Sequence, residues 1–252
     1  MLCVFRFFAK MMLLLFVGAF FSTCGLESVV TVEAPTVTYN DPLFSSSDYA
    51  NQYFSFLTAE DSGNDFMGTE VYYKIYNNSS TLVSERNAIL SVNSASNNTA
   101  AATRMIETYT YQTLGMSPSS NRTIFVDSPS ANQVIIRLKS YTGQENHLGD
   151  DWYSFRSGID GYIYNYTDFT PFRNGGTKSF DFFDDNDDDS GYTRDVKPEE
   201  GDSDYKHSSS ATESDTYYVQ MFAVGVAYDQ STLSNTYSLV LNLGSVAIQK
   251  GK

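Results

Sequence analysis

The stretch GTEVYYKIYNN, Gly68–Asn78, decides between helix and strand. Val71, Tyr73 and Ile75 alternate with Tyr72, Lys74 and Tyr76, which is the two-residue period of a strand with two distinct faces. Asn77 and Asn78 close the run. Its β-branched and aromatic residues suit a pleated surface. The same rhythm recurs in NQYFSFLTA (51–59), QVIIRLKSY (133–141), GYIYNYT (161–167) and KSFDFF (178–183). Composition agrees: among 252 residues there are 19 Tyr and 18 Phe, and 41% hydrophobic against 18% charged residues is enough apolar material for a core.

One segment departs from this rhythm. Between Ser84 and Gly115, SERNAILSVNSASNNTAAATRMIETYTYQTLG places Ala102, Met105, Ile106 and Tyr109 at i, i+3, i+4, i+7, one apolar face of a helix. Ser84 and Asn98 or Thr99 can cap two helix starts, and Gly115 can end the last turn. Two helices packed on a sheet are expected there.

The C-terminal run YYVQMFAVGVAYDQSTLSNTYSLVLNLGSVAIQ (217–249) resembles the last hairpin of a fibronectin type III or related immunoglobulin-like sandwich, through Tyr217, Val219, Met221 and Ala223. FMGTEVYYKIY similarly resembles a central strand of such a domain. The resemblance implies that Tyr217 is the tyrosine-corner residue, its hydroxyl bonded back to backbone. It also implies that Tyr237, Leu239, Leu241 and Leu243 form the inward face of the last strand. About 140 residues separate Ile75 from Tyr217, whereas a whole immunoglobulin-type domain takes about 100. Either one sandwich is enlarged by insertions or two small β units follow each other. No Pro/Gly/Ser linker divides the middle, so the expected fold is one mainly β sandwich over 41–250, enlarged by the helical insertion (84–115) and an acidic loop (181–215).

The N-terminus carries a different signal. Arg6 and Lys10 precede an apolar stretch from Met11 to Phe21, with Ser22 and Thr23 before Cys24, the layout of an export signal over 1–23. The run is short for a bilayer crossing, which needs about 20 apolar residues. FSTCG resembles a bacterial lipobox of the relaxed form seen in spirochaete-type lipoproteins, with Phe21 and Thr23 at its variable positions. That resemblance implies cleavage between Thr23 and Cys24 and lipidation of Cys24. Of two cysteines, Cys3 lies in the segment to be removed, so Cys24 would have no internal partner. Residues 24–40, with Pro35, read as a tether that becomes a first strand.

The polar residues restrict the chemistry. From Asp181 to Asp215 there are 13 acidic and 3 basic residues, most of the net charge of −14. Calcium is one use for such a loop, yet an EF-hand register from Asp184 has Asp189 at the glycine position and Asp195 at the twelfth, and one from Asp185 has Ser190 and Val196. A solvated, self-repelling loop is the other reading. His147 and His207 have no metal-ligand spacing, and no GxSxG, P-loop or GxGxxG run is present. Paired carboxylates for glycoside chemistry stay open, since they meet only in a fold. Scarcity of Lys and Arg argues against nucleic acid. Trp152, Tyr153, Tyr162, Tyr164 and Tyr166 could form a sugar- or protein-binding face or pack across strands. Five Asn-x-Ser/Thr sites, at Asn77, Asn78, Asn97, Asn121 and Asn165, would suggest glycans on surface loops in a eukaryotic secreted protein and are incidental on the bacterial reading.

The expectation is an exported, non-catalytic envelope lipoprotein with no cofactor. Its partners would be a lipid bilayer, through acylated Cys24, and an unidentified protein or carbohydrate ligand. A structural role without a ligand, a calcium-binding surface protein and an unrecognised hydrolase are the alternatives.

Overall fold

The computed structural model describes residues 30–36, 54–114, 129–136, 138, 153–157, 163–165, 173, 180, 182, 197–211 and 216–249. In chain order these form β1 (Phe54–Leu57), β2 (Phe66–Tyr76), α1 (Ser79–Leu90), α2 (Ala100–Thr103, continued as a wider π turn over Arg104–Thr108) and β3 (Gln112–Thr113). β4 (Asn132–Ile136), β5 (Tyr153–Ser157), β6 (Ile163–Asn165), β7 (Tyr205–Lys206), β8 (Thr216–Asp229), β9 (Ser234–Tyr237) and β10 (Leu241–Gln249) follow. Those from Thr31 onward belong to one unit. It is mainly β, with two sheets in a sandwich-like arrangement and few helices.

The centre is the antiparallel pair β2 and β8, in register from Phe66↔Ala227 to Tyr76↔Tyr218. β10 and β9 pair with successive halves of β8, while β3 and the parallel β7 share the far edge of β2. The second sheet runs β1-β4-β5-β6, and Thr36 extends it by bridging Leu57. Val71, Tyr73 and Ile75 of β2 join Val219, Met221 and Ala223 of β8 in a cluster with Phe54, Phe56, Val134 and Ile136 of the second sheet. Phe180 and Phe182 fill the same layer. The alternation in GTEVYYKIYNN thus places its odd-numbered residues between the sheets.

Its even-numbered residues are buried too. Tyr72 and Tyr76, with Phe222, Val224 and Val226 of β8, lie under Leu82 and Ile89 of α1 and Ala101, Ala102 and Met105 of α2. A sheet buried on both faces needs strands that are almost continuously apolar, and YYVQMFAVGVAY is such a run. A 12-residue helix is marginal in water, so packing on this face holds α1. At about 1.5–3 kcal/mol for each large apolar side chain fully buried, Leu82 and Ile89 contribute more than intrinsic helix propensity can.

The helices differ from expectation at the first start and at the last turn: the second helix ends at Thr108 rather than Gly115, because Thr110 turns the chain out at φ 53° and β3 (Gln112–Thr113) follows. α1 starts at Ser79 rather than Ser84, because the side chain of Asn78 accepts from the Thr81 N–H at 3.0 Å. α2 starts after Thr99, the expected position, although the Thr99 side chain makes no capping hydrogen bond, and Ala102, Met105, Ile106 and Tyr109 do face the sheet.

The last strand also differs. Tyr237 lies on the helix-covered face, and only from Leu241 and Leu243 does the alternation point into the sandwich. The interruption is built by Asn93, which donates to the Val240 carbonyl at 2.9 Å and accepts from its N–H at 3.0 Å. Ser238 donates its N–H to the Gly225 carbonyl and takes the Gly225 N–H on its hydroxyl. A second irregularity at Asn242/Gly244 requires the left-handed φ of 87° at Gly244.

The folded unit also begins earlier than the expected boundary at residue 41. Val32 is buried, and Thr36 exchanges two backbone hydrogen bonds with Leu57, at 2.8 and 3.0 Å. The segment passes so close to β8 that a Cβ on Gly225 would lie 2.4 Å from the Glu33 carbonyl oxygen and 2.9 Å from Val32 Cγ1. Gly225→Ala is therefore expected to cost about 1–3 kcal/mol in urea unfolding. An unchanged midpoint would mean that this segment is not seated on β8.

Candidate functional site

Of the residues singled out from the sequence, Thr23 and Cys24 lie outside the described residues. So do Asp184, Asp185, Asp189, Ser190, Asp195 and Val196 of the calcium registers, and His147. KSFDFF is described only at Phe180 and Phe182, both buried. Trp152, Tyr162 and Tyr166 are also outside; Tyr153 stands on β5 opposite Ile136, and Tyr164 on β6 opposite Phe155. Tyr217 opens β8 and its ring lies in the sandwich layer, edge-on to Phe182 at 5.1 Å and to Tyr205 at 6.0 Å.

The described part of the acidic segment is held by a residue that pattern reading missed. Arg173 is buried, and its Nε and Nη2 donate side-on to both carboxylate oxygens of Asp204, at 2.8 and 2.7 Å. Nη2 also donates to Asp202 at 2.7 Å, and Tyr73 from β2 donates its hydroxyl to Asp204 at 2.7 Å. Phe182 lies beneath the guanidinium, 6.0 Å away. Burial alone would lower the Arg173 pKa, but the hydrogen bonds and charge of Asp204 outweigh it and hold it above its ordinary value. Nη1 is buried and finds no partner among the described residues. The Asp204 carbonyl accepts from Ile75 N–H at 2.9 Å, seating β7 beside β2. Two of the acidic residues thus fix the loop to the sheet. The signal was available in composition: Arg173 is the one cation between Arg156 and Lys178, just ahead of the acidic run.

A second polar cluster lies under the helices. Lys74 forms an ion pair with Glu85 of α1 at 3.4 Å, donates to the Tyr109 carbonyl, and sits 5.7 and 5.8 Å from the ring centres of Tyr76 and Tyr111. Tyr76 donates to Glu85 at 2.8 Å and lies 3.0 Å from the Tyr111 hydroxyl. The left-handed φ of 53° at Thr110, rare for a β-branched residue, turns the chain out of the π turn there. Two residues back along β2, Tyr72 donates to the buried Glu70. Burial, more than the Glu85 charge that offsets it, lowers the Lys74 pKa. Burial also holds Tyr72, Tyr76 and Tyr111 well above the usual phenol range, helped at Tyr72 by Glu70 and at Tyr76 by Tyr111 and Glu85.

The remaining distinctive geometry is at the end where the chain enters the unit. Running back from Thr36 to Glu33, the segment follows Leu57 toward the 58–65 loop, where Glu33 N–H lies 3.5 Å from Asp61 Oδ2. That loop ends at Asp65, whose carbonyl accepts from Tyr228 N–H at 2.8 Å and whose carboxylate accepts from Gln230 at 2.8 Å. The adjoining β8–β9 turn is tied by Asp229, which accepts from Ser231 N–H and Oγ at 2.8 and 2.7 Å and from Thr232 N–H at 3.4 Å. These bonds lower the Asp229 pKa. At its tip Leu233 has φ 54° and is 74% exposed, with Met67 and Tyr228 also exposed on this end.

Among the described residues no group of three His, Cys, Asp or Glu could hold a metal ion, and no helix is long and apolar enough to cross a membrane. At the opposite end, Asn77 clamps Ser208, accepting from its N–H at 2.8 Å and donating to its carbonyl at 3.1 Å, and Asn78 caps α1. Both amides are therefore committed to the fold. Comparison with protein-family models, curated proteins and solved structures finds no match to this chain.

Removing one partner of a buried ion pair costs about 3–5 kcal/mol, although the pair itself adds little net stability. Arg173→Met is accordingly expected to lose about that much in urea unfolding, and Arg173→Met with Asp204→Leu to recover part of it. Additive losses would contradict the coupling. In alkali the lysine and the tyrosines under the helices act in opposite senses. The lowered Lys74 pKa makes stability rise with pH from that value to about 10.4, where the unfolded lysine titrates. The raised tyrosine values make stability full below about pH 10 and lost above it, because only the unfolded chain ionises there. Tyr76→Phe is expected to flatten the alkaline decline, read from urea midpoints across pH 8–12.

Proposed function

We propose that this chain is an exported lipoprotein of a bacterial envelope, fastened to a bilayer through acylated Cys24 and displaying a non-catalytic immunoglobulin-like sandwich that acts as a binding or adhesion module. The observation that carries the reading is the junction FSTCGLES. A short apolar run meets a cysteine that loses its only possible internal partner, Cys3, if the signal is removed, and seven residues later, at Thr31, the folded unit begins. Acyl chains contribute about 0.8 kcal/mol per buried CH₂, and more than one chain is needed for stable attachment.

The sandwich type is supported by strand order. Immunoglobulin domains place strands A, B, E and D in one sheet and C, F and G in the other. Here the segment at Thr36, β1 and β4 take the places of A, B and E, and β2, β8 and β10 those of C, F and G, in the same chain order. β5 takes the place of D but follows β4 instead of preceding it. On this reading α1 and α2 are an insertion after the third strand, and the acidic segment is an insertion before the sixth.

Mass spectrometry of the native N-terminus tests the attachment. A chain starting at Cys24 with added acyl mass is expected, and Cys24→Ser should move the protein from the membrane to the soluble fraction. A native chain starting at Met1, or a variant that stays on the membrane, would end this reading.

A further inference from the structure

We infer that the segment 31–36 is a releasable strap that gives the tether two lengths. Under tension between the anchor and whatever the sandwich binds, it leaves its seat first while both sheets stay folded. The inference rests on the lipid anchor proposed above and adds a mechanical step to it.

A chain held at Cys24 is pulled through Thr31, so this segment bears the load before any described strand does. Among the described residues it is held by one isolated bridge, the pair of bonds between Thr36 and Leu57, with the Glu33 N–H 3.5 Å from Asp61. Val32 and Pro35 are buried, whereas Thr31, Glu33 and Thr36 are exposed. The next described element, β1, is paired with β4 along its whole length and buries Phe54 and Phe56 completely. Elements with few hydrogen bonds and little buried apolar surface open locally at much lower free energy than core strands. The strap therefore yields before β1.

The seat is nevertheless specific, which makes release a discrete step. Gly225 leaves a notch for the Glu33 carbonyl and the Val32 side chain, at distances that no Cβ would permit. A packed seat of this kind is occupied or empty, without a graded slide between the two. Sequence spacing then sets the size of the step. Antiparallel neighbours are usually joined by two to five residues, yet the whole of 37–53 separates Thr36 from Phe54. Release of the strap thus frees residues 31–53 without pulling β1 from β4. At about 3.3–3.6 Å per residue they lengthen the tether by up to about 80 Å, against about 25 Å for residues 24–30.

Two measurements test the strap. In native-state hydrogen exchange, the Thr36 and Leu57 amides, each bonded to the other residue's carbonyl, are expected to exchange at least about tenfold faster than the Phe56 amide on the β4 side of the same strand. In optical tweezers the unacylated full chain is held by the thiols ahead of residue 30, Cys3 and Cys24, and by a tag after Lys252. A first extension of up to about 80 Å is expected below the force that unfolds the sheets. It should reverse on relaxation and be absent from Gly225→Ala, whose strap starts unseated. Thr36→Pro, which removes one of the two bridging donors, takes its place should Gly225→Ala not fold. Thr36 and Leu57 amides as slow as that of Phe56, or a first event that already unfolds the whole unit, overturn the strap and leave the anchor standing. A native Cys24 without acyl mass overturns the anchor and, with it, the strap's place in a tether.

Discussion

The pairing of β2 with β8 is the constraint on which the rest depends. Its register sends Val71, Tyr73 and Ile75 between the sheets and Glu70, Tyr72, Lys74 and Tyr76 to the opposite face. A slip of one residue would exchange the two sets and drive Glu70 and Lys74 into the sandwich layer. Because the second face is also covered, its polar groups have to be satisfied by whatever covers it. Glu85, the Tyr109 carbonyl and Tyr111 do this from the helical layer, so the helices are fixed by polar pairing as well as by the apolar contacts of Leu82, Ile89 and Met105.

The edge of the same strand governs the acidic segment. Tyr73 and Ile75 reach Asp204 from β2, and Arg173 completes the neutralisation. A segment with 13 acidic residues is thereby tied to the sheet at Asp204 instead of standing clear of it throughout. The two ends of the molecule acquire different characters. One carries the Arg173 cluster and the Asn77–Ser208 clamp, and the other carries the chain entry and an exposed leucine in a fixed turn.

Much of this was legible in the sequence, for physical reasons that differ by element. Alternation in 68–78 and the apolar run in 217–227 mark the central strands, since side-chain direction follows from a period of two. Thr99 and the face of Ala102, Met105 and Ile106 mark the second helix. Asn78 was read as the end of a strand, and it is that, but the same side chain also caps α1; one residue served two elements. A period of two sets Lys74 on the second face without saying what covers that face, although Tyr72 and Tyr76 beside it are a sign that something does. Arg173 and the break at Ser238–Val240 depend on partners 31 and 147 residues distant, Asp204 and Asn93, and no local pattern encodes those contacts.

Native-state hydrogen exchange is the most direct test of the claim that β2 and β8 are the element around which the other layers assemble. The amides of Val71–Tyr76 and Val219–Val224 are expected to be the slowest in the chain, exchanging only through global unfolding, with α1, β1 and β4 opening at lower free energy. Exchange from β2 and β8 as fast as from β1 and β4, or protection that is lost together with α1, would contradict it.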